Sequence, residues 1–346
     1  MSAPPVVSIL LPVRNGGAWL GASLESVLAQ TLTRWECLVV DDASTDATPD
    51  ILAQCADSRI RVLRNSRPRG VAWSLNRALA AARAPLLARQ DADDESLPTR
   101  LERQVEFLRQ YPRIGVVGTG VHMVDEAGRP AGAYRLHEYH ASISWALCFG
   151  HPFAHPTVCM RRRVIEQVGG YDVTFPAAQD HDLWTRLAGR TRFANIPDQL
   201  VIYRRHAGAV SAARQRQLAA DARARARHLS WLIGRAVGEG ELFWNPLPHP
   251  VPGEEGLSRA EVARGVAAYG ALVCEARRAF LRRMHLGEAE QRAVSALAGR
   301  RLWSVAARLW RVSPVRALPL MARAAALCPQ RAMRSVGERL TWRRGV

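Results

Sequence analysis

Short, fully apolar runs alternate with helical patterns through the first ninety residues, and each run stops at polar residues. Val6–Leu11 is the first run, bounded by Pro12. Ala18–Gln30 follows with Leu20, Leu24, Val27 and Leu28 at helical spacing. Glu36–Val40 is the second run and ends in Asp41-Asp42, after which Ser44 or Thr45 caps a helix and Asp46 favours its N-terminus. Ile60–Leu63, a helical Val71–Ala82 and Pro85–Ala88 complete the series, the last run ending in Gln90–Asp94. Strands apolar on both faces, separated by helices, belong to a mostly parallel sheet covered on both sides, an α/β fold. Such sheets bind ligands beyond the carboxyl ends of their strands, which here carry Pro12–Asn15, Asp41-Asp42 and Asp91–Asp94.

Further on, the pattern predicts a helix over Pro98–Gln110, a strand over Ile114–Val124 and a turn at Asp125–Gly128. A helix is predicted from Asp180 to Leu187, and a short strand at Gln199–Tyr203. Tyr134–Pro156 is rich in aromatics and His without clear periodicity. Composition then shifts. Residues 1–215 hold 25 Arg against 21 acids, whereas residues 216–346 hold 23 Arg against 10 acids. From Gln291 onward there are 12 Arg and one acid, Glu338. Two domains are expected: a catalytic one at 1–214 and a basic, mainly helical one at 215–346. In the second, helices are expected at Gln215–Ile233, Ser258–His285 and Glu288–Val312 and between Pro314 and Leu340, with a Pro/Gly linker at Pro246–Gly256.

With 48% hydrophobic residues the chain is no disordered or disulfide-stapled sequence. Its six Cys form no CxxC pair, which fits reduced thiols in the cytoplasm. No signal-peptide pattern and no spanning apolar run is found. A nucleic-acid binder is suggested by basicity alone, because no helix-turn-helix, zinc-ligand or aromatic-basic motif accompanies it.

The acidic strand ends carry the candidate chemistry. Asp91, Asp93 and Asp94 repel one another unless protons or a cation neutralise them. Ligands that are all oxygen suit Mg2+ or Mn2+. A solvated acidic turn would show the same residues, but their place at a strand end, beside other acidic strand ends, favours the metal. Asp42 suits hydrogen bonding to a base or ribose, and Arg14 suits stacking on a base or bonding a phosphate. Asp180, in Gln179-Asp180-His181-Asp182, caps a helix or serves as a general base. His155 and His206 sit in polar loops.

Together these residues resemble the inverting family 2 glycosyltransferases, which have the GT-A nucleotide-sugar fold. The resemblance runs over residues 6–211, in order: VSILLPVRN (7–15), SLESVLAQT (23–31), LVVDDASTDAT (38–48), Gly70–Asn76, ARQDADDESLPTR (88–100), His155–Arg161, Val168–Tyr171, Gln179–Leu187 and Tyr203–Ser211. It implies that Asp42 contacts the base, with Pro12, Arg14 and Asn15 lining the same pocket and Asn76 beside the donor. It also implies that Asp91 faces the ribose, that Asp93 holds Mn2+ or Mg2+ on the diphosphate, and that Asp180 activates the acceptor. His206 would be a further metal or diphosphate contact. The chain departs from the family's usual Glu-Asp at Gln179-Asp180 and from its Ala-Arg-Asn at Ser74-Leu75-Asn76, where Arg69 or Arg77 would replace the missing Arg.

The function implied is sugar transfer from a nucleotide-diphosphate sugar, UDP-linked by family habit, to a hydroxyl of a cell-surface polysaccharide or lipid-linked glycan. A nucleotidyltransferase would use a similar sheet and similar carboxylates. It would also need a basic Gly-rich phosphate loop, where this chain has only Gly16-Gly17 and no Lys. A non-catalytic nucleotide-sugar-binding scaffold is the other alternative. In the tail, Leu302, Val305, Ala306, Leu309 and Trp310 share one helical face with Arg300, Arg301, Arg308 and Arg311 around it. Such a face lies on an anionic membrane, here the inner leaflet, or packs against protein.

Overall fold

The computed structural model describes residues 3–132, 136–206, 214–244 and 256–328. Residues 207–211 of the Tyr203–Ser211 element, residues 246–255 of the expected linker and the last helix beyond Cys328 lie outside the described residues. The chain divides into two compact units, Met1–Ala224 and Arg225–Val346.

The first unit is built on an eight-stranded sheet of order β3-β2-β1-β4-β7-β6-β8-β5. Strands β1 (Val7–Val13), β2 (Trp35–Asp41), β3 (Ile60–Arg64) and β4 (Leu86–Arg89) are mutually parallel. All residues of β1 and β2 are buried, as a central parallel strand requires. Ser8, Glu36 and Asp41 are the polar residues in them, and the first two pair: Ser8 Oγ donates to Glu36 Oε1 at 2.7 Å. Glu36 also accepts from the Arg83 backbone at 2.7 Å and from the Arg61 and Arg83 side chains. Pro12, inside β1, is tolerated because β4 pairs only with Val7–Leu10. Beyond Leu10 that side of β1 has no β4 partner requiring the missing N–H.

Helices α1 (Leu20–Leu28), α2 (Thr48–Ala53) and α3 (Val71–Ala81) connect these strands, and the apolar residues divide into one cluster on each sheet face. Beyond β4 the sheet turns mixed. β7 (Cys159–Arg161) runs antiparallel to β4 and to β6 (Ile114–Val124). β8 (Arg192–Arg204) is parallel to β6, and β5 (Glu95-Ser96) is antiparallel to β8. Strand β8 is far longer than the predicted Gln199–Tyr203. Thr119 pairs with Ile196 but Gly120 pairs with Gln199, so Pro197 and Asp198 are accommodated in a bulge. Helices α4 (Arg100–Gln110), α5 (His140–Leu147), α6 (Arg162–Glu166) and α7 (Gln179–Leu187) complete the layers, and α8 (Arg214–Ile233) begins in this unit.

The second unit contains the rest of α8, α9 (Glu239–Leu242), α10 (Arg259–Arg283), α11 (Glu288–Trp310) and α12 (Pro314–Leu327). Ser258 and Glu261 form a capping box at the start of α10. Helix α11 packs on α10 and α12. Small residues permit the close approach: a Cβ at Gly270 would lie 2.8 Å from Leu320, and one at Gly299 would lie 2.9 Å from Cys328. Leu302, Val305, Ala306 and Leu309 are each fully buried. Their apolar face is therefore filled by packing rather than presented to a membrane, and of the expected stripe only Trp310 stands exposed. No helix among the described residues is long and apolar enough to cross a membrane.

Candidate active site

The acidic loop begins where β4 stops. Gln90 N donates to Leu10 O at 3.1 Å, extending the pairing with β1 by one step. The buried Gln90 side chain then organises the turn. Its Oε1 accepts from Ser96 Oγ at 2.6 Å and Arg100 Nη1 at 2.9 Å, and its Nε2 donates to Asp94 O at 2.7 Å. Arg89 and Arg100 are both almost fully buried beneath the loop. Arg100 donates to the Arg89 carbonyl at 2.6 Å, and burial depresses its guanidinium to about 10. Arg89 pairs with Asp91.

Three carboxylates converge above these cations. One oxygen each from Asp91, Asp93 and Asp94 lies within 4.8 Å of the others. Asp94 Oδ1 accepts from Arg204 N at 2.8 Å, while its Oδ2 is buried without a hydrogen-bond partner. Burial raises Asp94 well above the ordinary carboxylate range, and the charges of Asp91 and Asp93 add to the rise. Burial raises Asp91 as well, against the pull of Arg89 and with a further push from Asp93. An all-oxygen donor set with an orphaned buried oxygen and mutual repulsion fits a hard divalent cation. Asp93 Oδ2 lies 2.8 Å from His206 Nε2, and the His206 ring packs on Trp19 with centroids 4.3 Å apart.

The second half of the site comes from α7. Ala178 precedes it in the left-handed region, φ 54°, and Asp180 lies in the first turn, half-buried. Its charge acts on Asp91, on His155 and on Tyr171. The start of α7 and the acidic loop therefore share one electrostatic environment. His155 Nε2 lies 3.0 Å from Tyr171 Oη. Burial lowers His155 to about 3, with Arg89 adding to the effect, and burial raises the Tyr171 phenol. Both are neutral polar groups at physiological pH, so they add no charge beside Asp180.

Several residues singled out for the donor are used by the fold itself. Both Asn76 amide atoms bind the Tyr171 backbone: Nδ2 donates to Tyr171 O at 2.7 Å and Oδ1 accepts from Tyr171 N at 2.8 Å. Asn76 thus clamps the turn that carries Tyr171. Asn15, at φ 54°, accepts from Thr45 N at 2.9 Å, and its own N–H donates to Ser44 Oγ at 2.9 Å. It ties the first two strand ends together. Asp42 is buried, and its carboxylate accepts from Asn65 Nδ2 at 2.6 Å, Arg69 N at 2.8 Å and Gly70 N at 2.8 Å. These three hydrogen bonds fix residues 65–70. Gly70, at φ 89°, makes that loop possible. Arg14 is exposed at the end of β1, and Pro12 is buried in it. Arg77 is engaged by Arg64 O and Asn65 Oδ1, each at 2.6 Å, while Arg69 lies over Trp73.

Sequence reasoning passed over Arg89, Arg100, Trp19 and the His155–Tyr171 pair. Arg89 and Arg100 flank the acidic run at the edges of ARQDADDESLPTR, so a balance of buried charge was the available signal. Trp19 and Tyr171 gave none, because only tertiary packing brings them to the loop.

The family model for Glycosyl transferase family 2 matches residues 8–169. EpsE of Bacillus subtilis (strain 168), assigned as a glycosyltransferase, is 38% identical over 191 residues, 54% of this chain and 68% of its own. WfaP of Escherichia coli, named a UDP-Glc:alpha-D-GlcNAc-diphosphoundecaprenol beta-1,3-glucosyltransferase, is 27% identical over 218 residues, 62% of this chain and 82% of its own. Among solved structures, residues 1–349 of TarS from S. aureus, in complex with UDP-GlcNAc, align with TM-score 0.60 at 16% identity, covering 88% of each chain. The curled, mostly parallel sheet is thus of the GT-A kind. With that sheet, the ordered motifs on its strand ends and the identity to EpsE, the chain belongs to glycosyltransferase family 2.

Proposed function

We propose that the protein is an inverting, divalent-metal-dependent glycosyltransferase that moves a sugar from a UDP-sugar to a hydroxyl of a lipid-linked glycan in polysaccharide synthesis. The observation that carries this reading is the convergence of Asp91, Asp93 and Asp94 on one point that also feels the charge of Asp180. UDP-GlcNAc bound in TarS and the UDP-Glc donor in the name of WfaP support the donor class, and the diphosphoundecaprenol of that name supports the acceptor class.

Asp91, Asp93 and Asp94 would hold Mn2+ or Mg2+, which would supply Lewis-acid neutralisation of the diphosphate leaving group. Arg89 holds Asp91 in place, and Arg100 fixes the backbone at Arg89 beneath it. His206 orients Asp93 through their 2.8 Å contact and contributes to diphosphate or metal binding. Asp180 takes the proton of the acceptor hydroxyl as the new bond forms. Direct attack opposite the leaving group inverts the anomeric carbon and needs only this one base. His155 and Tyr171, bonded to one another at 3.0 Å and both neutral, add no charge that would compete with Asp180 for the proton.

The acceptor's lipid places the work at the inner face of the membrane. Exposed Trp310, Val315 and Leu318, with Arg311 and Arg316 among them, give the second unit an apolar and cationic surface suited to an anionic bilayer. A product assay tests the whole reading: wild type with a UDP-sugar panel, Mn2+ and an undecaprenyl-diphosphate sugar acceptor. Formation of a β-linked product from an α-linked donor is expected. Absence of product from every donor, or retention of the α configuration, overturns it.

A further inference from the structure

Two histidines and an aspartate from three separate segments meet outside the acidic loop. His151 lies in the loop after α5, His181 in the first turn of α7, and Asp221 on α8. His181 and Asp221 are buried, and the His151 side chain is 32% exposed. Asp221 Oδ1 lies 2.8 Å from His151 Nε2 and 3.3 Å from His181 Nδ1, and the two imidazole centroids are 4.5 Å apart. One donor atom of each residue falls within 4.8 Å of the others.

The far side of His181 fixes its tautomer. Nε2 lies 3.0 Å from the carbonyl oxygen of Leu147, which can only accept, so Nε2 carries the hydrogen. In the neutral ring the Nδ1 lone pair then points at a carboxylate oxygen. Two acceptors then face one another around a fully buried ring, an arrangement that a positive species relieves. A proton would create a buried imidazolium, which burial disfavours. A metal ion satisfies both acceptors and leaves His181 neutral.

We propose that His151 Nε2, His181 Nδ1 and Asp221 bind a divalent transition metal, zinc by the chemistry of the set, at a site separate from the acidic loop. Two imidazoles and one carboxylate are a usual zinc set, and tetrahedral bonds of about 2.0–2.1 Å place neighbouring ligand atoms about 3.3 Å apart. A metal-ligating histidine characteristically donates its other N–H to a backbone carbonyl, the role Leu147 plays here. Of the three ligands His151 is the most exposed. His181 directly follows Asp180, so the bound ion fastens the first turn of α7 to α8 and holds the Asp180 backbone in place. In this arrangement His181 is a positioning residue. The two sites differ in ligand softness: the acidic loop offers only oxygen, whereas this site offers imidazole nitrogen, which favours zinc over magnesium.

The test is equilibrium dialysis of the chelator-stripped full chain against zinc in a large excess of Mg2+, which occupies the all-oxygen loop. One zinc retained per chain is expected. Co2+ in its place should give the intense visible absorption of a tetrahedral site. His151→Ala, a change at an exposed position, should weaken zinc binding at least about tenfold while circular dichroism remains that of wild type. Asp221→Asn should weaken it similarly. Wild type that retains no zinc under excess Mg2+ overturns the proposal, even if the variants fail to fold. A His151→Ala protein that binds zinc as tightly as wild type overturns it too. Sugar transfer enters neither readout, so the result is independent of the function proposed above.

Discussion

Two acidic segments at the ends of β2 and β4, the strands on either side of β1, look alike in sequence and are used in opposite ways. In Asp41–Asp46, carboxylates are met by hydrogen-bond donors. Asp42 accepts three bonds from residues 65–70, Asp41 accepts from Ser44 N at 3.0 Å, and Asp46 accepts from Gly17 N at 2.8 Å. In Asp91–Asp94, each carboxylate has a partner in Arg89, His206 or the Arg204 backbone, but oxygens of all three crowd within 4.8 Å of one another and one buried oxygen of Asp94 has no partner. Carboxylates saturated by N–H groups build loops. Carboxylates left to repel one another are held ready for a cation. The distinction lies in where the donors are, and that is set by tertiary structure rather than by the spacing of Asp residues.

The largest effect is expected at the proton acceptor. Asp180→Asn should reduce turnover by about 10^2- to 10^4-fold, the usual contribution of a general base, with donor affinity nearly unchanged. Steady-state kinetics beside calorimetric donor binding checks both parts, and loss of affinity with turnover intact would reassign Asp180 to donor binding. Asp93→Ala, or removal of divalent metal from wild type, should abolish donor binding and turnover while the melting temperature stays close to that of the untreated protein. On the other side of the comparison, Asp42→Asn places an amide N–H against backbone donors. It should cost about 1–3 kcal/mol of stability in denaturant unfolding, with metal binding to the folded protein retained. A stable Asp42→Asn protein that fails only to bind nucleotide would move Asp42 into the donor pocket and erase the contrast.

The smallest effect concerns Glu36, a carboxylate saturated in the same way at the far end of β2. Burial pushes it up, but hydrogen bonds from Ser8, the Arg83 backbone, Arg61 and Arg83 outweigh burial and leave it below its ordinary value of 4.5. A depressed folded value means that its stabilisation is present above about pH 4.5 and is lost as pH falls through the folded value. Glu36→Gln should therefore be less stable than wild type at neutral pH by about 1–2 kcal/mol. The gap should narrow steadily on acidification below pH 4.5. A gap independent of pH would show that Ser8 and the arginines bind Gln as well as Glu.

The parallel half of the sheet was legible because β1 and β2 are buried on both faces and so read as unbroken apolar runs. The mixed half was not. β7 has only three residues, too few for any periodicity. α5 buries six of its eight residues, so it has no polar face to mark a helical stripe. β8 is interrupted in sequence by Pro197 and Asp198, which its bulge absorbs. At the site, the acids themselves were visible, whereas their setting was not. Nothing in the order of residues shows that Asn76 spends its amide on Tyr171, 95 positions away, or that His206 reaches Asp93 across 113. In the second unit, the amphipathic stripe of α11 was read correctly as a stripe. Its burial against α10 and α12 depends on Gly270 and Gly299, whose lack of a side chain lets the helices close.

The most direct measurement is calorimetric titration of a UDP-sugar into the turnover-deficient Asp180→Asn protein, with Mn2+ present and after chelation, alongside the Asp93→Ala/Asp180→Asn double variant. Binding is expected only for the single variant with Mn2+. Equal binding in chelator, or in the double variant, would contradict a cation held by the acidic loop and a proton acceptor that faces it from α7.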